Sequence, residues 1–262
     1  MTDLFSLAHR TALITGGSRG IGRMIAAGFL KQGARVYISS RKAADCDATA
    51  KDLSSLGECF SLPADVSTLE GVNALVAAYG AREKKLDILV NNAGAAWGES
   101  FETFPEKGWD KVVDLNLKAP FFLTQALHGL LKAAASAEQP AKVINIASID
   151  GIAVNPLETY SYAASKSGLI HMTRRMALRL AQDEIVVSAI APGAFASDMN
   201  RAARDHSDDV AKRIPARRIG SDEDMAGVAI YLASRAGDYV VGNTIAVDGG
   251  VVYANAGLEI AG

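Results

Sequence analysis

The amino-acid sequence predicts a single α/β domain, spanning residues 1–262, built on a doubly wound parallel sheet of about seven strands with helices on both faces. Three observations predict it. Short apolar, β-tending runs alternate with longer amphipathic segments from Thr11 to Val247, with no internal repeat, low-complexity tract or linker. The first run ends in a glycine-rich turn that opens a helix. Several later runs end in turns of small, amide or hydroxyl residues, as expected where a parallel sheet gathers its ligand loops at one edge.

Composition narrows the partners. Counting 27 basic against 29 acidic residues gives a net charge of -2, which offers neither nucleic acid nor an anionic membrane a sequence-wide attraction. The hydrophobic fraction of 49% and the charged fraction of 21% are ordinary for a globular enzyme. No uncharged apolar run reaches the roughly 18 residues of a membrane span. The opening MTDLFSLAHRTALITGG lacks the basic and apolar regions of a secretory leader. The two cysteines, Cys46 and Cys59, form neither a disulfide framework nor a metal pattern, so the expected setting is the reducing cytoplasm. The histidines are scattered, and no metal is expected.

The first strand, Thr11–Thr15, leads into Gly16-Gly17-Ser18-Arg19-Gly20-Ile21-Gly22, and RMIAAGFLKQG then reads as an amphipathic helix that stops at Gly33. Strand, glycine turn and helix form the context in which glycines serve a phosphate. The turn must bend sharply, bring backbone close to a pyrophosphate and aim the first helical amides at it. The spacing G-x-x-x-G-x-G on its own also fits a purely structural turn. The next strand, 34–40, is followed by Arg41-Lys42. Where an NAD-binding fold places an acid for the ribose hydroxyls, this chain has Ser40 and then Arg41, with Arg19 in the glycine turn as a second cation. Two arginines and no carboxylate favour NADP(H) over NAD(H).

The alternation continues with a helix over 43–56, a strand over 58–63 and a helix over 68–82. Asp65-Val66 falls just beyond the strand, at the ligand edge, where an adenine contact fits. A strand over 86–90 ends in Asn91-Asn92-Ala93-Gly94, where amides can knit loop backbone and glycine allows close approach. A helical region over 105–135 carries Asn116 among apolar neighbours, so its amide needs a buried partner or water. Pro120 predicts a kink or break near it. A strand over 142–147 delivers Ser148 to the sheet edge, and after the helix over 160–182 a strand over 185–191 ends in Pro192-Gly193. Residues 194–218 form a mixed segment suited to covering a pocket. Its Arg201, Arg204 and Arg213 fit a solvated helix face or a contact with an acidic carrier or phosphate. A helix over 222–234 and the strand Thr244–Val247 close the chain.

The segment Tyr160-Ser161-Tyr162-Ala163-Ala164-Ser165-Lys166 holds the chemistry. On a helix, Tyr162 and Lys166 are i, i+4 neighbours, whereas Tyr160 lies roughly 240° round from Lys166. A phenol titrates near pH 10 in water and becomes useful at neutral pH when an ammonium stabilises its phenolate. Such a pair suits proton transfer to a carbonyl or from an alcohol while a cofactor moves the hydride. Taken alone, Y-x-x-x-K is more simply a packed tyrosine and a solvated lysine.

Its company changes that reading. Thr15-Gly16-x-x-x-Gly20-Ile21-Gly22, Asn91-Asn92-Ala93-Gly94, Asn116, Ser148, Tyr162-x-x-x-Lys166 and Pro192-Gly193 occur in the order and approximate spacing of the short-chain dehydrogenases/reductases, which the chain resembles over about 12–250. Within that family it looks most like the 3-oxoacyl reductases, including the NADPH-dependent type associated with rhamnolipid synthesis. The resemblance rests on SLAxRxALxTGGSRGIG, ILVNNAG, the Trp97 loop, VINI and APGAF.

The resemblance implies a Rossmann-type fold and a role for each matching position. Tyr162 would be the general acid in reduction, Lys166 would lower its pKa and hold the nicotinamide ribose, and Ser148 would hydrogen-bond the substrate oxygen. Asn116 would hold a water linking Lys166 to solvent. For the cofactor, the resemblance implies contacts from Gly16, Ser18, Arg19, Gly20, Ile21, Gly22, Arg41, Asp65, Val66, Asn92, Ala93 and Gly94, and from Pro192, Gly193, Phe195 and Ser197 in the turn after the sixth strand. Ser197 stands where threonine is usual and keeps the hydroxyl. Asp150, where small residues are common, and the Asn155-Pro156-Leu157 loop are departures that bear on the substrate. Trp97, Leu157, Phe195 and Met199 are expected to supply an apolar wall, and Asp150 to lie beside the substrate.

The activity implied is reduction of a ketone, a 3-oxoacyl thioester or similar β-keto compound, by a homotetramer or dimer. A polyol, sugar or cyclic-alcohol dehydrogenase is the alternative on the same scaffold. A silent NADP-binding regulator would keep the glycine turn and lose the acid/base set, which here is intact.

Overall fold

The computed structural model describes residues 4–254; positions 1–3 and 255–262 of the expected domain lie outside the described residues. Seven strands, β1 (Thr11–Thr15), β2 (Arg35–Ser39), β3 (Cys59–Ser61), β4 (Ile88–Asn91), β5 (Ala141–Ile146), β6 (Ile185–Pro192) and β7 (Thr244–Val247), form one sheet. Their order is β3-β2-β1-β4-β5-β6-β7 and every pairing is parallel.

The strands read as near-continuous apolar runs because both faces are covered. On β1, Ala12 and Ile14 point into a core with Ile25, Phe29 and Met225, while Leu13 points the other way against Tyr37, Leu75 and Leu127. The first face carries α1 (Gly20–Lys31), and the second α3 (Leu69–Gly80). Between them in sequence lies α2 (Ala43–Leu53), three residues shorter at its end than expected, with Ser54 as its C-cap residue donating through Oγ to the Ala50 carbonyl. Edge strand β3 is also shorter than 58–63, with β2 as its one neighbour.

The long helix over 105–135 is two helices. The first, α4 (Glu106–Val113), and the second, α5 (Ala119–Ala134), are separated by a π-type turn at Asp114–Lys118 that contains Asn116. Pro120 in the first turn of α5 has no N–H to continue the α-ladder, and the wider turn accommodates that loss. The expected break is therefore present. Beyond β5, α6 (Tyr160–Leu180) lies on the same face as α5, and α7 (Arg201–Asp205) and α8 (Ser207–Ala211) occupy the covering segment. The last helix, α9 (Asp222–Ala233), packs beside α1 and opens with a capping box between Ser221 and Asp224.

Two features of this sheet position the site. The chain moves outward from β1 to β2 and β3, then returns to β4 on the other side of β1. The loops after β1 and β4 therefore diverge and open a crevice at the carboxyl edge. Beneath it, Asn91 of β4 stands opposite Asn145 of β5. Asn91 donates through Nδ2 to Asn145 Oδ1 at 2.9 Å and to Thr124 Oγ1 of α5 at 3.2 Å, and Asn145 Nδ2 donates to Thr173 Oγ1 of α6 at 2.9 Å. A buried polar ladder thus ties two helices through two strands. No helix among the described residues is long and apolar enough to cross a membrane.

Candidate active site

The glycine turn after β1 has the shape an anion needs. Gly16 and Gly20 adopt φ of +65° and +50°, and a Cβ on Gly22 would stand 2.3 Å from the Gly16 carbonyl oxygen. At the start of α1, Arg19 is the N-cap residue and provides no side-chain cap, and the first turn holds no acid. The leading amides of α1 therefore remain open toward the crevice. The neighbouring loop is fastened to this turn. Asn92 Nδ2 donates to the carbonyl oxygens of Thr15 and Gly16 at 2.8 and 3.1 Å, and Thr15 Oγ1 accepts the Asn92 and Ala93 amides at 3.0 and 3.1 Å. The Ser18 carbonyl accepts the Thr49 hydroxyl of α2 at 2.9 Å, and Ile21 packs against the core beneath.

At the end of β2, Arg41 is exposed and makes no hydrogen bond or ion pair among the described residues, so its guanidinium is available to a phosphate. Arg19 is differently placed. Its Nη1 lies 2.6 Å from Asp198, whose second oxygen takes Arg204 at 2.6 Å. The two arginines are therefore not equivalent, and Arg204 is engaged within the covering segment. Asp65 accepts the amide and hydroxyl of Ser67 on one oxygen, leaving the other unbonded, and Val66 is buried beside it. Ser197 approaches Gly20, with 3.3 Å between its Cβ and a Cβ built there, and accepts the Asn200 amide at 3.1 Å. Gly193 lies against Asp248, and Pro192 ends β6.

The proposed acid/base residues converge at the ends of β5 and α6. Ser148 caps the short turn Ile149–Gly151 by accepting the Asp150 amide at 3.2 Å, which leaves the Ser148 proton free to be donated. Burial pushes the Tyr162 phenol up, an interaction with the Ser148 hydroxyl pulls it down, and the Asp150 carboxylate raises it further. The net direction is up. The Lys166 Nζ stands 5.6 Å from the centre of the Tyr162 ring and donates to the Ile146 carbonyl oxygen at 2.7 Å. Burial lowers its pKa to about 8.

Burial is the largest influence on the phenol, so its direction is up where the resemblance implied a lowered value.

Asn116 is 1% exposed, and both its amide oxygen and its amide nitrogen are hydrogen-bonded. Its Oδ1 accepts the Ala95 amide at 2.8 Å, and its Nδ2 donates to the Ala95 carbonyl at 2.9 Å and to Ser165 Oγ at 3.1 Å. Ser165 in turn donates to the Tyr162 carbonyl at 2.8 Å. The amide therefore links the Gly94 loop to the Tyr162 turn directly. A Cβ on Gly94 would sit 3.2 Å from Asn116 Oδ1 and 3.8 Å from Lys166 Nζ.

The expected apolar wall is only partly assembled. Phe195 is 2% exposed with its ring packed under Gly220, so its side chain belongs to the core. Trp97 lies flat on Gly108 of α4 with the Lys111 ammonium 5.3 Å from its ring, which assigns it to packing as well. Leu157 and Met199 are exposed. Tyr160 turns away, donating to Glu158 at 2.9 Å and meeting Phe101 and Phe104 edge-on. Sequence reasoning missed Thr15 and Ser165 as fasteners and Asp198 as the bridge between glycine turn and cover; small hydroxyls and a surface acid carry no distinguishing pattern. Among the described residues no group of histidine, cysteine and carboxylate side chains could hold a metal.

An open helix start at a sheet switch point beside a Ser-Tyr-Lys constellation defines a dinucleotide-dependent oxidoreductase, and the chain belongs to the short-chain dehydrogenase/reductase family, whose members act on keto and alcohol groups. A family model described as enoyl-(acyl carrier protein) reductase matches residues 16–252. The chain is 47% identical over 253 residues to the rhamnolipids biosynthesis 3-oxoacyl-[acyl-carrier-protein] reductase of Pseudomonas aeruginosa, covering 95% of this chain and 99% of that protein. It is 36% identical over 260 residues to the 5-keto-D-gluconate 5-reductase of Escherichia coli, covering 97% and 100%. A solved structure of Pseudomonas aeruginosa RhlG in an NADP active-site complex superposes with a TM-score of 0.93 at 46% identity, covering 96% of this chain and 99% of that one.

Proposed function

We propose that the protein is an NADPH-dependent ketoreductase that converts the keto group of a 3-oxoacyl thioester, or a similar β-keto compound, into a secondary alcohol. The observation that carries this reading is the convergence of Ser148, Tyr162 and Lys166 at the sheet edge beside the open start of α1. The site residues fit the cofactor. The free amides of α1 and the crowding at Gly22 suit a pyrophosphate, the unpaired Arg41 suits a 2′-phosphate, and Asp65 keeps an oxygen free for adenine. NADPH, when bound, supplies the hydride.

The chain's own residues then handle the oxygen. Ser148, oriented by the Asp150 amide, donates its proton to the ketone oxygen and orients it. Tyr162, kept neutral by burial, gives its proton to the oxygen as negative charge develops there. The Lys166 ammonium, largely protonated at neutral pH with its pKa near about 8, offsets the phenolate left behind. Because both N–H groups of Asn116 are spent on Ala95 and Ser165, a proton-carrying water would be held by backbone carbonyls opened by the π-type turn.

A cytoplasmic homotetramer or dimer accompanies this reading. The assembly, as distinct from the location, is supported by solvent-facing large apolar side chains, Trp109, Phe121 and Leu178, on α4, α5 and α6. Light scattering of the purified protein tests the assembly.

A sugar or polyol dehydrogenase is the second reading, favoured by the gluconate-acting relative. Cofactor oxidation measured with NADPH and NADH against 3-oxoacyl thioesters, β-keto esters, cyclic ketones and keto sugars decides between them. Turnover confined to sugars would overturn the first.

A further inference from the structure

We propose that Asp150 is a specificity-determining residue that disfavours ketones carrying a negative charge near the carbonyl and leaves the site to neutral ones. This rests on the ketoreductase reading above.

Asp150 belongs to the Ile149–Gly151 turn, and its amide stands 3.2 Å from Ser148 Oγ, the atom proposed to meet the substrate oxygen. The residue is half-buried. Its carboxylate accepts no hydrogen bond and joins no ion pair among the described residues. The nearby cation does not neutralise it, since Lys166 points its ammonium at the Ile146 carbonyl. Asp150 lies two residues beyond Ser148 in the turn that Ser148 caps, beside the reacting centre, and its influence on the Tyr162 phenol is upward. Nor can the turn easily carry Asp150 elsewhere. A Cβ on neighbouring Gly151 would stand 2.7 Å from the Lys166 backbone carbon, and the Gly151 carbonyl accepts the Ser167 hydroxyl at 3.1 Å.

A keto oxygen between Ser148 and Tyr162 thus sits beside an uncompensated negative charge that the mechanism does not use. A substrate carboxylate close to that keto group meets like charge in a partly desolvated space, where screening is weak. A thioester, ester or cyclic ketone carries no such charge and is not repelled. A 2- or 3-keto acid, with its carboxylate one or two bonds from the keto carbon, carries one.

The test compares acetoacetate with ethyl acetoacetate, the same keto group with and without the charge. The quantity read is the ratio of kcat/KM for the anion to that for the ester, with NADPH, in the wild type, Asp150→Asn and Asp150→Ser. The inference expects this ratio to rise by about tenfold or more in both variants, as removal of a nearby unit charge at low screening would give. It also expects the Tyr162 limb of the kcat profile, the higher of the two alkaline limbs, to move to lower pH for the ester, since Tyr162 loses a neighbour that holds it protonated.

Thermal melts confirm that each variant is folded, and Asp150→Ser serves if the asparagine variant is not. Reduction of the ester by the wild type with an unchanged ratio in a folded variant overturns this inference alone. Failure of the wild type to reduce either compound or any other β-keto substrate overturns the ketoreductase reading and this inference with it.

Discussion

The Lys166 ammonium donates a 2.7 Å hydrogen bond to the carbonyl oxygen of Ile146, at the end of the strand that leads to Ser148. One buried cation thereby fixes α6 against β5 at the level of the chemistry. Burial brings its pKa to about 8, below the value near 10.5 of a free lysine. The unfolded chain therefore binds more protons between those limits, and this group's destabilising contribution, fully present below pH 8, fades as pH rises through the window. Replacing Lys166 by Met should abolish turnover; it relieves a burial penalty on the order of 1–3 kcal/mol near pH 7, offset by about the same amount for the Ile146 carbonyl left without its donor, so the pH dependence rather than the net stability is diagnostic. Urea melts at pH 7.5 and 9.5 check it: the wild type should gain relative to the variant at the higher pH.

Tyr162→Phe removes the proposed proton donor and little else. Turnover should fall by roughly a thousandfold, within the range for loss of a general acid, with NADPH affinity changed less than about threefold. Stopped-flow hydride transfer and fluorescence titration separate the two. In the wild type, reduction should begin to decline as the Lys166 ammonium loses its proton around pH 8, and fall further once the raised phenol pKa is passed.

Arg41 has no side-chain partner among the described residues, so Arg41→Asp should leave the melting temperature nearly unchanged. It should weaken NADPH by about tenfold or more and shift preference toward NADH. Equal NADPH use by variant and wild type would remove Arg41 from the phosphate site.

Gly22→Ala places a methyl group 2.3 Å from the Gly16 carbonyl and 2.5 Å from the Asn92 amide. Backbone must move to admit it, so the variant should lose about 1–3 kcal/mol of stability and bind NADPH more weakly. Circular dichroism melts and cofactor titration measure both.

Asn116→Ala strands the amide and carbonyl of Ala95 and frees the Ser165 hydroxyl, at a cost of about 2–4 kcal/mol. Asn116→Asp would restore one acceptor and no donor. A partial recovery of stability without activity would place the residue's effect in the Gly94 loop.

Much of this architecture is legible in the residues. The seven strands follow from apolar runs, with β1 and β7 bounded as expected, and the glycine turn and the Tyr162–Lys166 face follow from spacing. Helix ends and the short edge strand β3 were less legible, because local patterns do not show where packing stops supporting a segment. The π-type turn was readable only as a break, since Pro120 forbids continuation without specifying the detour. Phe195 was misplaced as a pocket wall because an aromatic beside a ligand turn looks the same whether it faces the ligand or the core. The space under Gly220 decides it. Asp198 could not be found at all, as its partners lie on separate elements.

The buried ladder from Thr124 through Asn91 and Asn145 to Thr173 bears on how the chain reaches this structure. Valine, isoleucine and leucine on β4 and β5 would tolerate many alignments of the two strands almost equally. The facing asparagines do not, because a shift of one residue leaves buried amides without partners. A slipped pairing of β4 and β5 is thereby penalised. Ser148, three residues past Asn145, and Lys166, two helical turns before Thr173, stand opposite each other as a by-product of that register.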